Sequence, residues 1–527
     1  MESLDHEAMR KAEAAKDKRR MRQQRVWKGA QTFWRKLATL HRRGNRHFAG
    51  KWSDGRFTAL AVAAIFIVMT IMLWFSPYLG VANDGTVTRT MQNAGLSHLE
   101  ADAENANNYF TRTYQLYYAD TSDRSFQLVL IEIAKAVDSF FTGDRLFDIR
   151  FLSAVYALLA APAWALLIRA VVGRADAFLE KCVLSVLCVL ILADVSYITY
   201  FNSLYPEAIF MIGLSYLFGG GMMMQKKSRF LPLYWLAFAA GALMLCTTRQ
   251  HGFIIAFLAA LFCIFQLRLS EQTIERVGVI LTAFVLLVAG LFGSVFIEDD
   301  LDDTSRVHAM TRGVLLQSSD PEKTLQKFGI NGSYAMLTDA SFYDTYALTD
   351  ESEYYLQNGF LDHYADSDIA LYYLRHPGAM ASMLDLGVRS SVDLRRSYCG
   401  NYERTVAMPA QGKSIFFAAY SIFKSRSLPR TIAFPLLLAV VCAVLSRSGW
   451  WKQKEPDRFY YVYFCVTLLA AVVLFAHLAV ILCRSGDAQL TQYNFIAGFT
   501  LDCLMLFTVS ELLHRLNILE EKQEESK

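Results

Sequence analysis

The chain has 527 residues, of which 54% are hydrophobic and 13% aromatic, and its formal net charge is +3. This apolar share exceeds that of a typical soluble domain. Hydrophobic runs of roughly 17 to 25 residues, each long enough to cross a hydrocarbon core of about 30 Å, recur along most of the sequence. The composition therefore excludes an ordinary soluble globular protein and predicts an all-α polytopic membrane protein.

The N-terminal segment, residues 1 to 56, is rich in Lys and Arg and contains few acids. This pattern predicts a cytoplasmic anchor for the first membrane span by the positive-inside rule. Aromatic residues alternate with the basic ones between Trp27 and Trp52, so an amphipathic segment on the inner leaflet is an open alternative. No nucleic-acid partner is predicted. The segment lacks the pattern of a cleavable signal peptide, so we expect the first span to be retained.

About ten membrane spans are predicted from the hydrophobic runs. They cover residues 57–80, 150–172, 178–197, 205–224, 230–246, 250–268, 276–297, 430–447, 459–483 and 494–512. With the N-terminus inside, the connections "GRADAFLEK", "QKKSR", "QLRLSEQTIER" and "SRSGWWKQKEPDR" are cytoplasmic, and each carries Lys or Arg as the rule requires. The C-terminal residues 513–527 then form a short cytoplasmic tail.

Two long segments are predicted on the outer side. Residues 81–149 interrupt a transmembrane core of residues 57–297, and "SFQLVLIEIAKAVDSFFTG" within them has the apolar periodicity of a helix on the membrane interface. Residues 298–429 are polar and rich in Tyr and Asp, and are too long to lack structure. We expect them to form short helices over the membrane, followed by C-terminal spans in residues 430–512.

The nine cysteines predict neither a disulfide framework nor a metal site. Most lie inside apolar runs, as small buried hydrophobic residues do. They form no Cys-x-x-Cys or Cys/His pattern.

The unusual polar residues all fall in the predicted outer connections. Asp84 follows the first span in "SPYLGVANDGTVTRT", Glu207 lies in "YFNSLYPEA", Arg249 in "TTRQHGF", and Arg484 and Asp487 in "CRSGDAQLTQYN". Basic residues are disfavoured in short outer loops, so the presence of Arg249 and Arg484 there indicates a specific role. Together these groups suit a pocket that holds a phosphate and moves a proton.

Each candidate also has a purely structural interpretation. Asp84 before Gly85 is typical of a turn or helix cap, and Glu207 can cap the fourth span. Arg249 and Arg484 can reach lipid headgroups from helix ends. Single histidines such as His251 and His477 more often bond a neighbouring helix. Four residues of these outer connections are predicted to line the substrate-binding site: Asn202, Tyr205, Gln250 and His251.

A transferase of lipid-linked sugars needs these chemical groups at a membrane surface. Arginine offers a permanently charged partner to the leaving phosphate. A carboxylate deprotonates the acceptor hydroxyl. Aromatic side chains such as Tyr200, Phe201 and Tyr205 provide walls for a sugar and a polyprenyl tail.

The order of these features resembles the GT-C superfamily of polyprenyl-phosphate-dependent glycosyltransferases. One span leads to an outer loop that begins with an acidic residue and continues into "RLFDIRFLSAVYALLAAPAW". A bacterial, uncharacterised branch of the superfamily is resembled by four shorter motifs: "YFNSLYPEAI", "YYLRHPGAM", "CGNYER" and "YSIFKS". The resemblance implies that Asp84 is the catalytic base of an inverting transfer to a cell-envelope glycan or lipid-linked acceptor. It further implies a bacterial inner membrane with both termini cytoplasmic and an extracytoplasmic active site.

The sequence departs from the superfamily near the last outer loop. Gly486 and Asp487 are present, but Gln492, Tyr493 and Asn494 stand where a Lys-His pair is expected. Phosphate binding then falls to Arg249 or Arg484, with Glu207 and Asp487 as secondary acids. No cofactor is required by the sequence, and its acids are compatible with a divalent Mg²⁺ or Mn²⁺ without any spacing that demands one.

Three alternatives stay open at the sequence level. A transporter or flippase of a lipid-linked glycan predicts polar groups at the bilayer midplane, for which His477 is the one candidate. An O-antigen-type polymerase or ligase shares the large outer loop and its arginines. A scaffolding membrane protein is the third. The sugar, the acceptor and the oligomeric state do not follow from the sequence.

Overall fold

The computed structural model describes residues 52–121, 123–225, 227–249, 252–296, 302–342, 359–395, 399–451, 457–488 and 490–525. The basic segment up to residue 51 and the candidates Gln250 and His251 lie outside this description. Helices dominate the described residues: α1 Asp54–Trp74, α2 Thr88–Asn93, α3 Glu100–Ala103, α4 Phe126–Thr142, α5 Ile149–Val172, α6 Phe178–Leu192, α7 Val195–Ile198, α8 Glu207–Met223, α9 Leu231–Cys246, α10 Phe253–Gln266, α11 Thr273–Phe296, α12 Asp302–His308, α13 Pro321–Lys327, α14 Asp366–Arg375, α15 Pro377–Val392, α16 Ala419–Ser427, α17 Ala433–Leu445, α18 Arg447–Trp450, α19 Arg458–Ser485, α20 Leu490–Tyr493 and α21 Phe495–Glu525.

Ten apolar helices correspond to the ten predicted spans. Within the described residues, five are long and apolar enough to cross a membrane: α1, α5, α11, α19 and the apolar part of α21. Helix α6 and the following Val195–Asn202 form a sixth candidate, bent by 45°. The other four, α8, α9, α10 and α17, are shorter apolar helices. The architecture confirms the all-α polytopic membrane class.

One end of the helix bundle gathers the connections predicted to be cytoplasmic. Lys181 pairs with Asp54 at 2.7 Å, before the first span, and Arg174 pairs with Glu511 at 2.5 Å, near the end of the last. Because these connections meet, the alternation of the spans agrees with the sequence prediction. Which end faces the cytoplasm stays a prediction.

The first outer segment contains a small sheet that the sequence did not predict. Strands β1 (Leu96–His98), β2 (Thr113–Leu116) and β3 (Leu146–Asp148) pair antiparallel in the order β1-β2-β3. The strands are only three or four residues long, too short for a readable alternation.

The amphipathic helix predicted in this segment is present as α4. Ser125 caps its N-terminus by accepting a hydrogen bond from the Leu128 N–H at 3.4 Å, and Gly143 ends it with φ +69°. Both are the expected end signals of a helix. Its inner face packs on the core, while Phe140 and Phe141 are exposed.

The described part of the large outer segment folds into short helices, as predicted, and contacts the bundle at several places. Helices α12 to α14 and their connections enclose a second hydrophobic cluster that includes Met310, Phe360 and Tyr373 and packs against Ile481 and Leu482 of α19. The later part of the segment instead contacts the chain just after α1, where Leu79 forms an antiparallel bridge with Tyr402.

Two helices end at positions that differ from the predicted span boundaries. The first span was expected to continue to residue 80, but α1 ends at Trp74 and the following residues are not helical as far as Val87. Ser76 precedes Pro77, and the residue before a proline avoids the helical conformation. At the other end, α21 continues to Glu525 and includes most of the predicted tail.

Candidate functional site

The segment that carries Asp84 is held against the large outer segment by backbone pairing. The Gly80 N–H donates to the Asn401 carbonyl at 3.1 Å, and the Ala82 N–H donates to the Gly400 carbonyl at 3.0 Å. A Cβ on Gly80 would lie 2.3 Å from the Phe110 ring, so only glycine fits this approach. Asp84 follows directly after this paired stretch.

Asp84 itself lies in a turn, as the structural interpretation of "NDGT" predicted. Its Oδ1 accepts hydrogen bonds from the Thr86 N–H at 3.1 Å and the Thr86 hydroxyl at 2.5 Å. The Gly85 N–H donates to Asn83 Oδ1 at 2.8 Å, and Gly85 has φ +94°. These bonds fix the direction of a half-buried carboxylate, in the side-chain-to-backbone geometry that Asp commonly adopts in turns.

The Tyr205 hydroxyl forms hydrogen bonds with the backbone around Asp84. Its hydroxyl donates to the Ala82 carbonyl at 2.9 Å and accepts from the Asp84 N–H at 2.9 Å. Asn202 plays a similar part, because its amide donates to the carbonyls of Leu73 at 3.1 Å and Leu79 at 2.9 Å. Both side chains are buried, so these contacts suit positioning residues better than the predicted contact with substrate.

Glu207 is the first residue of α8, which agrees with its interpretation as a residue at a helix N-terminus. It follows Tyr205 by two residues. Its exposure is 1%, which is rare for a carboxylate and makes it more than a surface cap. Tyr156 of α5 lies within its electrostatic reach.

Arg249 lies at the same end of the bundle as Asp84. The Phe126 N–H at the start of α4 donates to the Thr247 carbonyl at 2.8 Å, and the next residue, Gln127, donates from its side chain to the Leu204 carbonyl at 2.5 Å. The connection that contains Arg249 is thereby linked through α4 to Leu204, the residue before Tyr205.

Arg484 and Asp487 belong to a different part of the outer face. Asp487 accepts a hydrogen bond from Arg312 Nε at 2.7 Å, and Arg484 Nε lies 3.7 Å from an Asp366 oxygen. Arg312 and Asp366 both come from the part of the large segment that forms the second hydrophobic cluster. These two candidates therefore join that part of the segment to α19.

The residues at the departure from the superfamily pattern have structural contacts. Asn494 donates to Ser390 Oγ at 2.5 Å, and the Tyr493 carbonyl lies 2.9 Å from His477 Nε2. The contact of His477 is with another helix, as its structural interpretation predicted. The side chain of Gln492 lies outside the described residues.

Arg395 is a functional candidate that sequence reasoning missed. Its Nε donates to Ser196 Oγ at 2.8 Å and its Nη1 to the Ser414 carbonyl at 2.7 Å. Its Nη2 is buried, and no residue in the described part of the chain accepts a hydrogen bond from it. Burial lowers the pKa of the Arg395 guanidinium, and the charge of Asp194 opposes that shift.

Lys413 shares a small cavity with Arg395. The cavity has a volume of about 20 Å³, enough for one water-sized atom group. It is lined by Val81, Ser196, Thr199, Tyr200, Leu394, Arg395, Cys399, Asn401 and Lys413. Burial lowers the pKa of the Lys413 ammonium, and the Arg395 charge lowers it further.

This cavity adjoins the Asp84 segment. Val81 precedes Asp84 by three residues, so their Cα atoms are no more than about 11 Å apart. Tyr200 on the cavity wall packs its ring edge-on against Tyr205, with 6.1 Å between ring centroids. The sequence signals for this site were Val81 and Tyr200 in the motifs around Asp84 and Glu207, and Cys399 and Asn401 in "CGNYER"; none of these motifs contains either cation.

A buried charge network underlies the cavity. Asp194 accepts from the N–H groups of Ser196 and Ser421, each at 2.9 Å. Lys424 and Asp502 form a fully buried ion pair at 2.5 Å, and the Tyr197 hydroxyl also donates to Asp502. The network joins α16 of the outer segment to α21.

Larger cavities elsewhere share no residue with this site. One of about 700 Å³ lies on the first outer segment, where Tyr117, Tyr118 and Lys135 are among its lining residues. A larger cavity of about 720 Å³, lined by Lys227, Trp235 and Arg458 among others, lies at the opposite end of the bundle. Within the described residues, no group of three or more His, Cys, Asp or Glu side chains is arranged to hold a metal ion. Metal dependence stays open.

The fold and this site define a polytopic helical membrane protein with a polar site at the end of the bundle that carries its two long segments. The chain belongs to the family described as the YfdI N-terminal transmembrane domain, whose model matches residues 47–527. No curated protein and no solved structure matches the chain.

Proposed function

We propose that the protein is an integral-membrane glycosyltransferase that moves a sugar from a polyprenyl-phosphate donor to a cell-envelope glycan or lipid-linked acceptor. Transfer takes place on the extracytoplasmic face of a bacterial inner membrane, with Asp84 as the general base. Membership of a transmembrane-domain family agrees with this class of protein. The resemblance to the GT-C superfamily provides the donor and the chemistry.

The observation that carries the proposal is the double fixation of Asp84. Tyr205 holds its backbone N–H, while Thr86 directs its Oδ1. A general base must meet its proton within hydrogen-bond distance in a defined direction. A carboxylate that is held at both backbone and side chain meets that need without reorganisation during the reaction.

The reaction is a single displacement with inversion. The acceptor hydroxyl attacks the anomeric carbon and passes its proton to Asp84. A new bond forms between the acceptor oxygen and that carbon, and the bond from the carbon to the phosphate oxygen breaks. The polyprenyl phosphate leaves with the bonding electrons, so a cation beside that oxygen favours its departure.

Among the predicted phosphate-binding residues, Arg249 remains in the proposal and Arg484 becomes a weaker candidate. Arg249 is linked to the Asp84 region through α4 and Leu204. Arg484 faces Asp366, so its charge already has a partner in the protein. Glu207 remains a secondary acid close to Tyr205, whereas Asp487 is bound to Arg312.

The test is substitution of the base. Purified protein in nanodiscs is incubated with a panel of undecaprenyl-phosphate hexoses and an acceptor-containing envelope extract, and released undecaprenyl phosphate is measured by mass spectrometry. Asp84→Asn keeps the shape of the side chain and removes its basicity. We expect it to lower the transfer rate by about a hundredfold or more.

The matched control is Asp120→Asn, because Asp120 is an exposed acid of the same outer segment. It should leave the rate unchanged, and both variants should keep the melting temperature of the wild type. Full activity of a folded Asp84→Asn variant would refute the assignment of the base.

A further inference from the structure

We infer that Arg395 and Lys413 form an oxyanion subsite that binds a phosphoryl group at the outer face. Arg395 brings a buried Nη2 for which the described part of the chain provides no acceptor. Such a donor costs free energy until an acceptor reaches it. An anionic oxygen in the adjoining cavity supplies that acceptor.

The two cations reinforce one another as an anion site. Arg395 and Lys413 line the same cavity, and neither forms an ion pair with a carboxylate among the described residues. Two neighbouring positive charges repel each other, and an anion placed between them relieves that repulsion. Asp194 bonds two backbone N–H groups, and its charge acts on Arg395 without forming an ion pair with it.

The size of the cavity limits what it can bind. A volume of about 20 Å³ accepts one oxygen atom and excludes a sugar ring. The subsite therefore holds a single phosphoryl oxygen, and the rest of the ligand lies outside the cavity. Ser196 and the Ser414 carbonyl keep the guanidinium in place by accepting from Nε and Nη1, so Nη2 is the nitrogen that remains for the ligand.

The location gives the subsite its role. Val81 on its wall is three residues before Asp84, and Asn401 on its wall pairs with Gly80. A phosphate bound here adjoins the segment that carries the proposed base, since the Cα atoms of Val81 and Asp84 are no more than about 11 Å apart. The role of this subsite in holding the donor phosphate and the leaving polyprenyl phosphate, together with Arg249, rests on the proposed function. The anion binding itself does not.

The test measures binding without requiring transfer. The full chain in detergent micelles is titrated with undecaprenyl phosphate, with undecaprenol as the neutral analogue and with inorganic phosphate, and the melting temperature is followed. A ligand that binds the folded state raises that temperature. We expect undecaprenyl phosphate to stabilise the wild type more than undecaprenol does.

Lys413→Gln should weaken binding of undecaprenyl phosphate by about tenfold or more. Lys413→Arg should restore most of it, since the charge returns. Arg395→Gln should act in the same direction, but it also removes the bonds to Ser196 and Ser414, so Lys413→Gln is the decisive variant. Lys323→Gln, at an exposed position of the same outer segment, is the control and should bind as the wild type does.

The titration with inorganic phosphate distinguishes a free phosphate ligand from a lipid-linked one. Competition by inorganic phosphate would mean that the subsite recognises the group itself, whereas binding of the lipid phosphate alone would mean that the tail adds affinity; both results support the subsite. Equal stabilisation of wild type and Lys413→Gln by undecaprenyl phosphate would overturn it. Asp84→Asn should bind normally, so loss of binding in Lys413→Gln with an active Asp84→Asn would reject the proposed base and keep the subsite.

Discussion

The hydroxyl of Tyr205 is the contact that connects the transmembrane core to the candidate base. It donates to the carbonyl of Ala82 and accepts from the N–H of Asp84, two residues later in the same non-helical stretch. Ala82 is fully buried, so its carbonyl depends on internal donors. The position of Asp84 is therefore set by a residue 121 positions later in the sequence.

Replacement of this hydroxyl tests that connection. Tyr205→Phe keeps the ring and its packing on Tyr200, but removes both hydrogen bonds. We expect the free energy of unfolding to fall by about 1–3 kcal/mol and the transfer rate to fall with it, since Asp84 loses its fixed direction. Thermal unfolding and the undecaprenyl phosphate release assay measure the two effects.

Tyr118→Phe is the control, because this tyrosine is 90% exposed. It should change neither quantity. A Tyr205→Phe variant with the stability and activity of the wild type would show that Asp84 is positioned by other contacts.

At the scale of secondary-structure elements, the break after α19 decides how the outer segment meets the bundle. Helix α19 ends at Ser485, and Gly486 has φ +57° and ψ −133°. A Cβ at Gly486 would lie 2.6 Å from the His308 carbonyl oxygen and 2.8 Å from the Gly313 nitrogen. The absence of a side chain lets the turn of the outer segment that carries Arg312 pack directly on the end of α19.

Gly486→Ala should therefore weaken this junction. Both the positive φ and the backbone clash oppose a Cβ, so we expect a loss of at least about 2 kcal/mol in the free energy of unfolding. Limited proteolysis should also cut residues 302–342 faster than in the wild type. The experiment compares melting temperatures and cleavage rates.

Gly378→Ala provides the matched comparison, since nothing lies within 4 Å of a Cβ at that helical position. It should be neutral or slightly stabilising, because alanine is a better helix former than glycine. Equal behaviour of the two variants would contradict the close approach at Gly486.

At the scale of the whole molecule, a buried ion pair anchors the outer segment to the bundle. Lys424 of α16 meets Asp502 of α21 with both side chains fully buried, and Lys424 also donates to the Gly498 carbonyl at 2.8 Å. Loss of one partner leaves the other charge buried without compensation, which costs more than the pair itself contributes.

Lys424→Met should lower the free energy of unfolding by about 3–5 kcal/mol. The double variant Lys424→Met/Asp502→Leu should lose less, because no single charge is left in the interior. Melting temperatures of the two variants, with Lys323→Gln as an exposed control, check this order. A double variant less stable than Lys424→Met would contradict the compensation.

The sequence alone determined the class of protein and most of its helices. Apolar runs long enough to span a bilayer, together with Lys and Arg in alternate connections, are local properties of the chain, so the ten apolar helices, the amphipathic α4 and the helical nature of the large segment could be predicted. Asp84 could be selected for the same reason, because an acid close to the end of a span is unusual wherever the chain folds.

The tertiary structure decided which polar residues meet. Tyr205 holds Asp84, and Val81 of the same segment lines the cavity of Arg395 and Lys413. Arg484 and Asp487 instead contact Asp366 and Arg312, in a different part of the outer segment. Sequence patterns could not separate these groups, since all lie in outer connections and their pairings span more than a hundred residues. The missed cations had no local signal, because Arg395 and Lys413 sit in a polar loop where charges are ordinary. Only the fold brings the two half-buried cations together in one cavity next to the Asp84 segment.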